Sequence, residues 1–515
     1  MSALADHLLI VPIVLPLAAG ASMLLFEEQR HRLKATISVA ASLLVLAAAV
    51  ALIIRAQSPL SHVYPIGNWP APFGIVLVAD RLAALMVSLA SVLGLAALVF
   101  SLARWHRVGP HFHSLAQFML AGLNGAFLTG DLFNLFVFFE LMLAASYGLA
   151  LYGGGVPRVR TGLHYIVINL SASLLFLVGV SLMYGVTGTL NMADLAMRVH
   201  TVAPEDVILI EIGAVALGIA FFIKAAIWPL GFWLLPTYTA AGAPASAIFA
   251  ILTKVGIYAV LRLWLLVFGG DAGAELLIYG GIATLVFGVA GVLASQHMGR
   301  LASFSLIVSS GTLLAVIGLG GATATAAALY YLVVSTLGIA GFFLLIELVE
   351  RAREPGADVL SVTAQAFGLA GEEAEADIGV AIPASRALLG LAFAFCALLI
   401  AGLPPLPGFV AKFAMLDALL DSDPVPNTVW TMLALLMLSG LAAIIALARI
   451  GVRVFWASPE VRVQVRVVEL APIVALLGLC IALTAAAGPA MRYMQDAAQG
   501  LHAPRPYIEQ VLSRP

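Results

Sequence analysis

Residues 219–235 read IAFFIKAAIWPLGFWLL, a strongly apolar run with Lys224 at its centre and Pro229 five residues on. A proline inside a helix removes a backbone hydrogen bond and kinks or breaks it. In lipid such a break survives only where protein or a wet cavity satisfies the freed groups. The stretch therefore predicts a broken membrane helix with an ionisable side chain beside the break. An ammonium left in hydrocarbon is costly, so the site has to give Lys224 a partner, water or a neutral state.

The rest of the chain is the right solvent for that reading. It is 62% hydrophobic, only 10% charged, and has a mean hydropathy of +1.07. An ordinary soluble chain is about 25% charged, so this is an all-α integral membrane protein. A net charge of −2 gives no electrostatic case for nucleic acid binding. Cys396 and Cys480 both lie in apolar runs and show no metal-ligand spacing. No GxGxxG or GxxxxGK[ST] motif occurs, so no cofactor is expected. The beginning, MSALADHLLIVPIVLPLAAG, has no basic leader region and reads as a first span.

A membrane helix needs about 20 apolar residues. On that scale about fourteen spans are expected. They fall near 8–26, 34–54, 82–103, 114–130, 132–152, 161–186, 207–234, 243–268, 275–295, 301–320, 324–349, 384–416, 427–448 and 468–488. A short β-hairpin is expected within 56–80. Lys and Arg concentrate on one side if the N-terminus lies outside, with fifteen in the cytoplasmic loops against seven opposite, Arg262 read as one of the seven. Both termini are then expected outside. The loop 351–383, with GEEAEAD, would be a solvated cytoplasmic excursion.

A second broken span is LIAGLPPLPGFVAKF (399–413), with Pro404, Pro405 and Pro407. Broken helices at matching places in two halves point to inverted repeats. Spans 4–8 and 9–13 would be two five-helix repeats, each with one proline-broken helix. The expected divisions are residues 1–110, 111–270, 271–456 and 457–515.

Of 25 basic residues only four are lysine: Lys34, Lys224, Lys254 and Lys412. Lys34 falls in a loop on this reading. The other three lie inside apolar runs, while arginine supplies almost every loop charge. Arginine does not deprotonate in proteins, whereas a buried lysine changes charge readily. The pattern suits proton transfer. Glu140, in DLFNLFVFFELMLAASYG (131–148), reads as the one acid deep within a span and the partner for Lys224. Left unpaired, four such charges would cost on the order of 10 kcal/mol. The plain alternative is a static buried ion pair with lysines reaching to the surface. His164, Tyr165, Asn134, Thr253, Ser303, Ser305, Ser309, Ser310, Ser335 and Thr336 are candidates to line a wet path, though each could equally be a helix–helix hydrogen bond. His297 is expected near a solvated loop.

With these residues in hand, the chain resembles the D-type subunit of the multisubunit Mrp-type (Mnh, Pha) monovalent cation/proton antiporters, which is similar to the antiporter-like pumping subunits of respiratory complex I. The resemblance covers nearly the whole chain. It rests on GNWPAPFGIVLVAD (67–80), GLNGAFLTGDLFNLFVFFELM (122–142), YGVTGTLNMADLA (184–196), the AAIWPLGFWLL and GAPASAIFAILTKVGIYAVLR pair, and GLPPLPGFVAKFAML (402–416). It implies that Glu140, Lys224, Lys254 and Lys412 form a proton relay along the membrane mid-plane. It also implies subunits of the A, B, C, E, F and G types as partners, exchange of protons for Na⁺ or K⁺, and a place in the bacterial cytoplasmic membrane. Many relatives carry His in spans 10 and 11. Here RLASFSLIVSSGTLL and YYLVVSTLGIAG carry Ser and Val instead, so the relay between Lys254 and Lys412 would run through hydroxyls and water. The competing reading is a proton-pumping membrane subunit of a complex I-like oxidoreductase or membrane hydrogenase, with the same relay and a different driver.

Overall fold

A computed structural model describes residues 7–58, 61–270, 272–351, 384–421, 424–455 and 465–513. The acidic stretch expected as a cytoplasmic loop lies outside the described residues. The chain is almost wholly helical. Its N-terminal part holds α1 (Val11–Leu24), α2 (His31–Arg55), α3 (Arg81–Ser101), α4 (Phe112–Leu128), α5 (Leu132–Ala150) and α6 (Val156–Thr187). A short α7 (Met192–Arg198) leads to α8 (Val207–Lys224), then α9 (Leu234–Ala240), α10 (Ala243–Phe249) and α11 (Leu252–Val267). The second half holds α12 (Ala274–Ala294), α13 (Met298–Leu319), α14 (Ala322–Arg351), α15 (Ala384–Ala401), α16 (Pro407–Leu420), α17 (Asn427–Phe455) and α18 (Val467–Ala485). Two more helices, α19 (Ala487–His502) and α20 (Arg505–Leu512), end the described chain. The expected hairpin is present: β1 (His62–Pro65) pairs antiparallel with β2 (Val76–Ala79).

Among the described residues, twelve helical segments are long and apolar enough to cross a membrane, with α10 and α11 taken as one. Every predicted span coincides with a helix or a broken pair of helices. Helices α1 and α4, at 14 and 17 residues, are shorter than a full crossing. The α10–α11, α13 and α14 segments are buried almost all round and form the centre of the bundle. Helices α2, α6, α8, α12, α17 and α18 show broad apolar outer faces, as membrane helices do. Contacts repeat between the halves: α4 packs on α5 as α12 packs on α13, and α6 packs along α8 as α14 packs along α15 and α16.

Both proline-marked spans are broken. After α8 the chain leaves the helix at Ala225 and passes through Ala226 at φ +57° before Pro229. The freed carbonyl of Ile223 accepts from Trp233 Nε1 at 3.0 Å, and Trp228 N donates to Thr284 Oγ1 on α12 at 3.0 Å. Gly231 is required here, because a Cβ would lie 2.3 Å from the Ala226 carbonyl oxygen. The second break separates α15 from α16 through Gly402 at φ +76°, a left-handed position that favours glycine. A third interruption, at 250–251 between α10 and α11, carries no proline and was not expected from the sequence.

Two expectations about charge need correcting. Lys34 is not in a loop: it sits in the first turn of α2, is buried, and donates to the Pro110 carbonyl at 3.5 Å. Arg262 is not a loop charge either: it is buried on α11 in a two-pronged ion pair with Asp80, the N-cap of α3. Besides Glu140, two acids near helix ends are held within the bundle. Glu469 on α18 is buried against Arg351 at 2.6 Å, and Glu347 on α14 accepts from Trp105 Nε1 at 2.7 Å. Arginine serves such positions because its fork satisfies a carboxylate fully.

Candidate functional site

The three mid-span lysines are all buried, and helix breaks position them. Lys224 is the last residue of α8 and Lys412 lies in α16 just after the second break. A helix C-terminus leaves carbonyls without intrahelical partners and carries partial negative charge. Lys412 uses that directly, donating to the last carbonyl of α15, Ala401 O, at 3.0 Å. Its stem packs where Gly402 has no side chain; a Cβ there would lie 2.8 Å from Lys412 Cδ. The break is thus part of the amine's site. Lys254 occupies the first turn of α11 after the third interruption.

Each amine meets a hydroxyl. Lys224 Nζ donates to Ser173 Oγ on α6 at 3.4 Å, and Ser173 Oγ donates to Glu140 Oε1 in a short hydrogen bond. Glu140 and Lys224 are therefore joined through a serine, with no direct ion pair within 4.0 Å among the described residues. Lys224 Nζ also lies 5.4 Å from the centre of the Phe139 ring, whose face attracts a cation. Glu140 is half-buried, on the side of α5 where Phe133 and Val137 are exposed.

Lys254 Nζ donates to Ser309 Oγ on α13 at 2.9 Å, and Ser309 Oγ lies 2.9 Å from Ser335 Oγ on α14. Ser335 lines a cavity of about 30 Å³ together with Ser305, Tyr331, Ser439 and Lys412. One water needs about 10–15 Å³ on this measure, so the cavity has room for about two. Lys412 Nζ closes the far end, donating to Ser439 Oγ on α17 at 3.4 Å. A contiguous polar row therefore runs from Lys254 through two hydroxyls and a small cavity to Lys412. It crosses the two helices where the sequence has Ser instead of His.

Of the other candidates, Ser309, Ser335 and Ser305 join this row. Thr253 and Ser310 are buried with hydroxyls that find no partner among the described residues. Ser303 and Thr336 bond back to Gly299 O and Leu332 O in their own helices, and Asn134 bonds Thr129 at the start of α5. His164 is a correction: it stands on the exposed face of α6 and makes no hydrogen bond among the described residues, because α6 turns that face outward. Tyr165 next to it is buried but serves packing, bonded to Ser146 at 2.7 Å and stacked on Trp233 at 5.1 Å. His297 is exposed, as expected. Sequence reasoning missed Ser173 and Ser439. Both are hydroxyls in apolar helices, with nothing in local pattern to distinguish them from ordinary helix–helix contacts. Among the described residues no group of His, Cys, Asp and Glu could hold a metal ion.

A multi-pass helical bundle with helix breaks that bring buried amines to hydroxyl partners defines a class of ion-handling membrane protein. Residues 129–442 match the family described as "NADH:quinone oxidoreductase/Mrp antiporter, TM", and the chain belongs to that family. It is 57% identical to the D-type subunit of a probable K(+)/H(+) antiporter of Rhizobium meliloti, over 99% of this chain and 98% of that one. It is 36% identical to the D-type subunit of a Na(+)/H(+) antiporter of Alkalihalophilus pseudofirmus, over 98% and 99%. Among solved structures it resembles a chain of the Mrp complex from Dietzia sp., at a TM-score of 0.85 and 27% identity, covering 99% of both chains.

Proposed function

We propose that this chain is the D-type subunit of a multisubunit cation/proton antiporter and that it carries protons along Glu140, Ser173, Lys224, Lys254, Ser309, Ser335 and Lys412. The observation that supports this most is the continuous row from Lys254 to Lys412. Two serines and room for two waters bridge two amines that have no acid among their described hydrogen-bond partners. A static packing role gives no reason for that continuity. The Glu140–Ser173–Lys224 group acts as a switch. While Ser173 bridges them, Glu140 favours a charged Lys224. When the bridge opens, the Lys224 charge acts on Lys254 and drives its proton on towards Lys412.

The full-length relatives are named as K(+)/H(+) and Na(+)/H(+) antiporter subunits. That favours exchange of K⁺ or Na⁺ for protons over redox-driven pumping, and a transporter component over an enzyme. Half-buried Glu140 on an outward apolar face fits a neighbouring subunit covering it. The repeated packing supports two five-helix inverted repeats within 111–270 and 271–456, flanked by 1–110 and 457–515. It also supports counting the short α1 and α4 among fourteen spans. The bias of Lys and Arg favours both termini outside the cytoplasmic membrane.

The test is the double variant Ser309→Ala with Ser335→Ala in the whole complex. It leaves every charge in place and removes only the hydroxyl bridge. Exchange in everted vesicles is expected to fall at least about tenfold, since a broken relay costs more than one ordinary hydrogen bond. Wild-type exchange in the assembled double variant would show that protons do not pass between Lys254 and Lys412.

A further inference from the structure

Helix α11 carries, beyond the relay's Lys254, two further polar groups that the relay does not use. Lys254, Tyr258 and Arg262 follow at four-residue spacing, so they share one face of the helix. Arg262 ends this column at a cavity of about 290 Å³ that lies against α19 and α20. Asp80, Arg81, Arg262, Asp496 and Tyr507 line the cavity. It has room for many waters and four charged groups to hold them. Arg262 is held at its floor from every side. Its two terminal nitrogens, Nη1 and Nη2, both donate to Asp80, Nη2 also reaches Tyr258 Oη at 3.3 Å, and the planar group lies 5.4 Å and 5.5 Å from the Tyr258 and Tyr507 rings. Below it, Tyr258 Oη donates to Phe127 O at 2.8 Å.

Beyond Tyr258 lies a void of about 10 Å³, lined by Ile257, Leu313 and Leu332 among others. Leu313 is one turn from Ser309, and Leu332 O accepts from Ser335 Oγ at 3.3 Å. The void therefore ends one turn from the Lys254–Ser309–Ser335 group. Its lining is mainly aliphatic, with Tyr258 and Thr325, whose hydroxyl is taken up by His502 on α19 at 3.0 Å, the exceptions, and so small an apolar void stays dry. A guanidinium cannot give up a proton, so it cannot pass one on. The cavity thus has room for water, the small void between it and the amine row does not hold it, and the Asp80–Arg262 pair stands at the boundary.

We propose that the cavity is an aqueous vestibule for protons on the face of the C-terminal helices, and that the Asp80–Arg262 pair is the gate between it and Lys254. Opening moves the guanidinium off Asp80 towards Asp496, the second carboxylate in the cavity. Asp496 is half-exposed and now holds Arg81 at 3.3 Å. Water then reaches Tyr258 and the void below it. This rests on the reading of Lys254 as a proton carrier, but the test does not measure transport.

The test places a reporter thiol at the void, Ile257→Cys, in the whole complex, with Cys396→Ala and Cys480→Ala removing the native thiols. A membrane-impermeant methanethiosulfonate is added to one face at a time. With the pair intact, modification is slow from both faces. Adding Arg262→Ala, or Asp80→Asn, is expected to speed it at least about tenfold, as expected when a mainly closed equilibrium is shifted, and only from the face of the C-terminal helices. The charge swap Asp80→Arg with Arg262→Asp is expected to restore slow reaction. If Arg262→Ala does not assemble, Arg262→Lys, which keeps the charge and loses the fork, carries the same expectation. Unchanged rates in the assembled single variants, or equal acceleration from both faces, would overturn the gate. Loss of the proton-carrier reading is distinguishable: Lys254→Ala would keep full exchange while the labelling pattern stayed as described.

Discussion

At the scale of single residues, the chain uses lysine sparingly and buries every one. Lys224, Lys254 and Lys412 each meet a hydroxyl, and Lys412 adds a helix-end carbonyl. A hydroxyl both donates and accepts, so it can pass a proton that a carboxylate pair would trap. Ser173 is the sharpest case. Ser173→Ala removes the bridge between Glu140 and Lys224 and leaves both charges. Exchange in vesicles is expected to fall at least about tenfold, as for loss of a positioned proton-transfer group, and Ser173→Thr, which restores the hydroxyl, to recover most of it. The lysines and Glu140 were legible in the sequence because charge in an apolar run is conspicuous. Ser173 and Ser439 were not, because serine in a membrane helix is common and only the partner across the interface gives it a role. His164 was misread for the same reason: the sequence does not say which face of α6 looks outward.

At the scale of elements, the helix breaks make the site. Proline announced two of them, and the structure shows why they hold: Trp233 caps the freed Ile223 carbonyl, and Lys412 itself caps Ala401. The third break, at 250–251, has no proline signal and escaped the sequence reading. Gly402 concentrates the demand of the second break. Gly402→Ala places a side chain in the left-handed region, at a cost of about 1–2 kcal/mol, and sets a Cβ 2.8 Å from Lys412 Cδ. The expected outcome is a lower thermal midpoint of the purified complex and slower exchange. Gly478→Ala on α18, where a Cβ would meet nothing within 4 Å, is expected to change neither.

At the scale of the whole molecule, Asp80 ties the N-terminal helices to α11, far along the chain. Burial is the largest single effect and pushes its carboxyl up, but the charge and hydrogen bonds of Arg262, joined by backbone N–H groups including that of Ala83, together hold it below the usual carboxylate range. A depressed folded value means that the pair's stabilisation is fully present above the unfolded carboxylate value of about 3.9. It is lost only as pH falls through the folded value. The stability difference between wild type and Asp80→Asn is therefore expected to stay flat from about pH 6 to 9 in thermal unfolding of the complex and to shrink only in strong acid. A difference that faded near neutral pH would show that another group controls the pair. The all-helical bundle, the hairpin and the broken spans were readable from hydropathy and proline, but the buried Asp80–Arg262 pair was not. Arg262 sits near the end of an apolar run and looks like a loop charge until the fold brings Asp80 to it. The central claim is that the buried amines release and regain protons. It is tested most directly by proton/cation exchange in everted vesicles carrying the assembled complex with Lys412→Arg, which keeps the positive charge and abolishes deprotonation. Exchange reduced to less than about a tenth of wild type is the expected result; exchange at the wild-type rate would contradict the account.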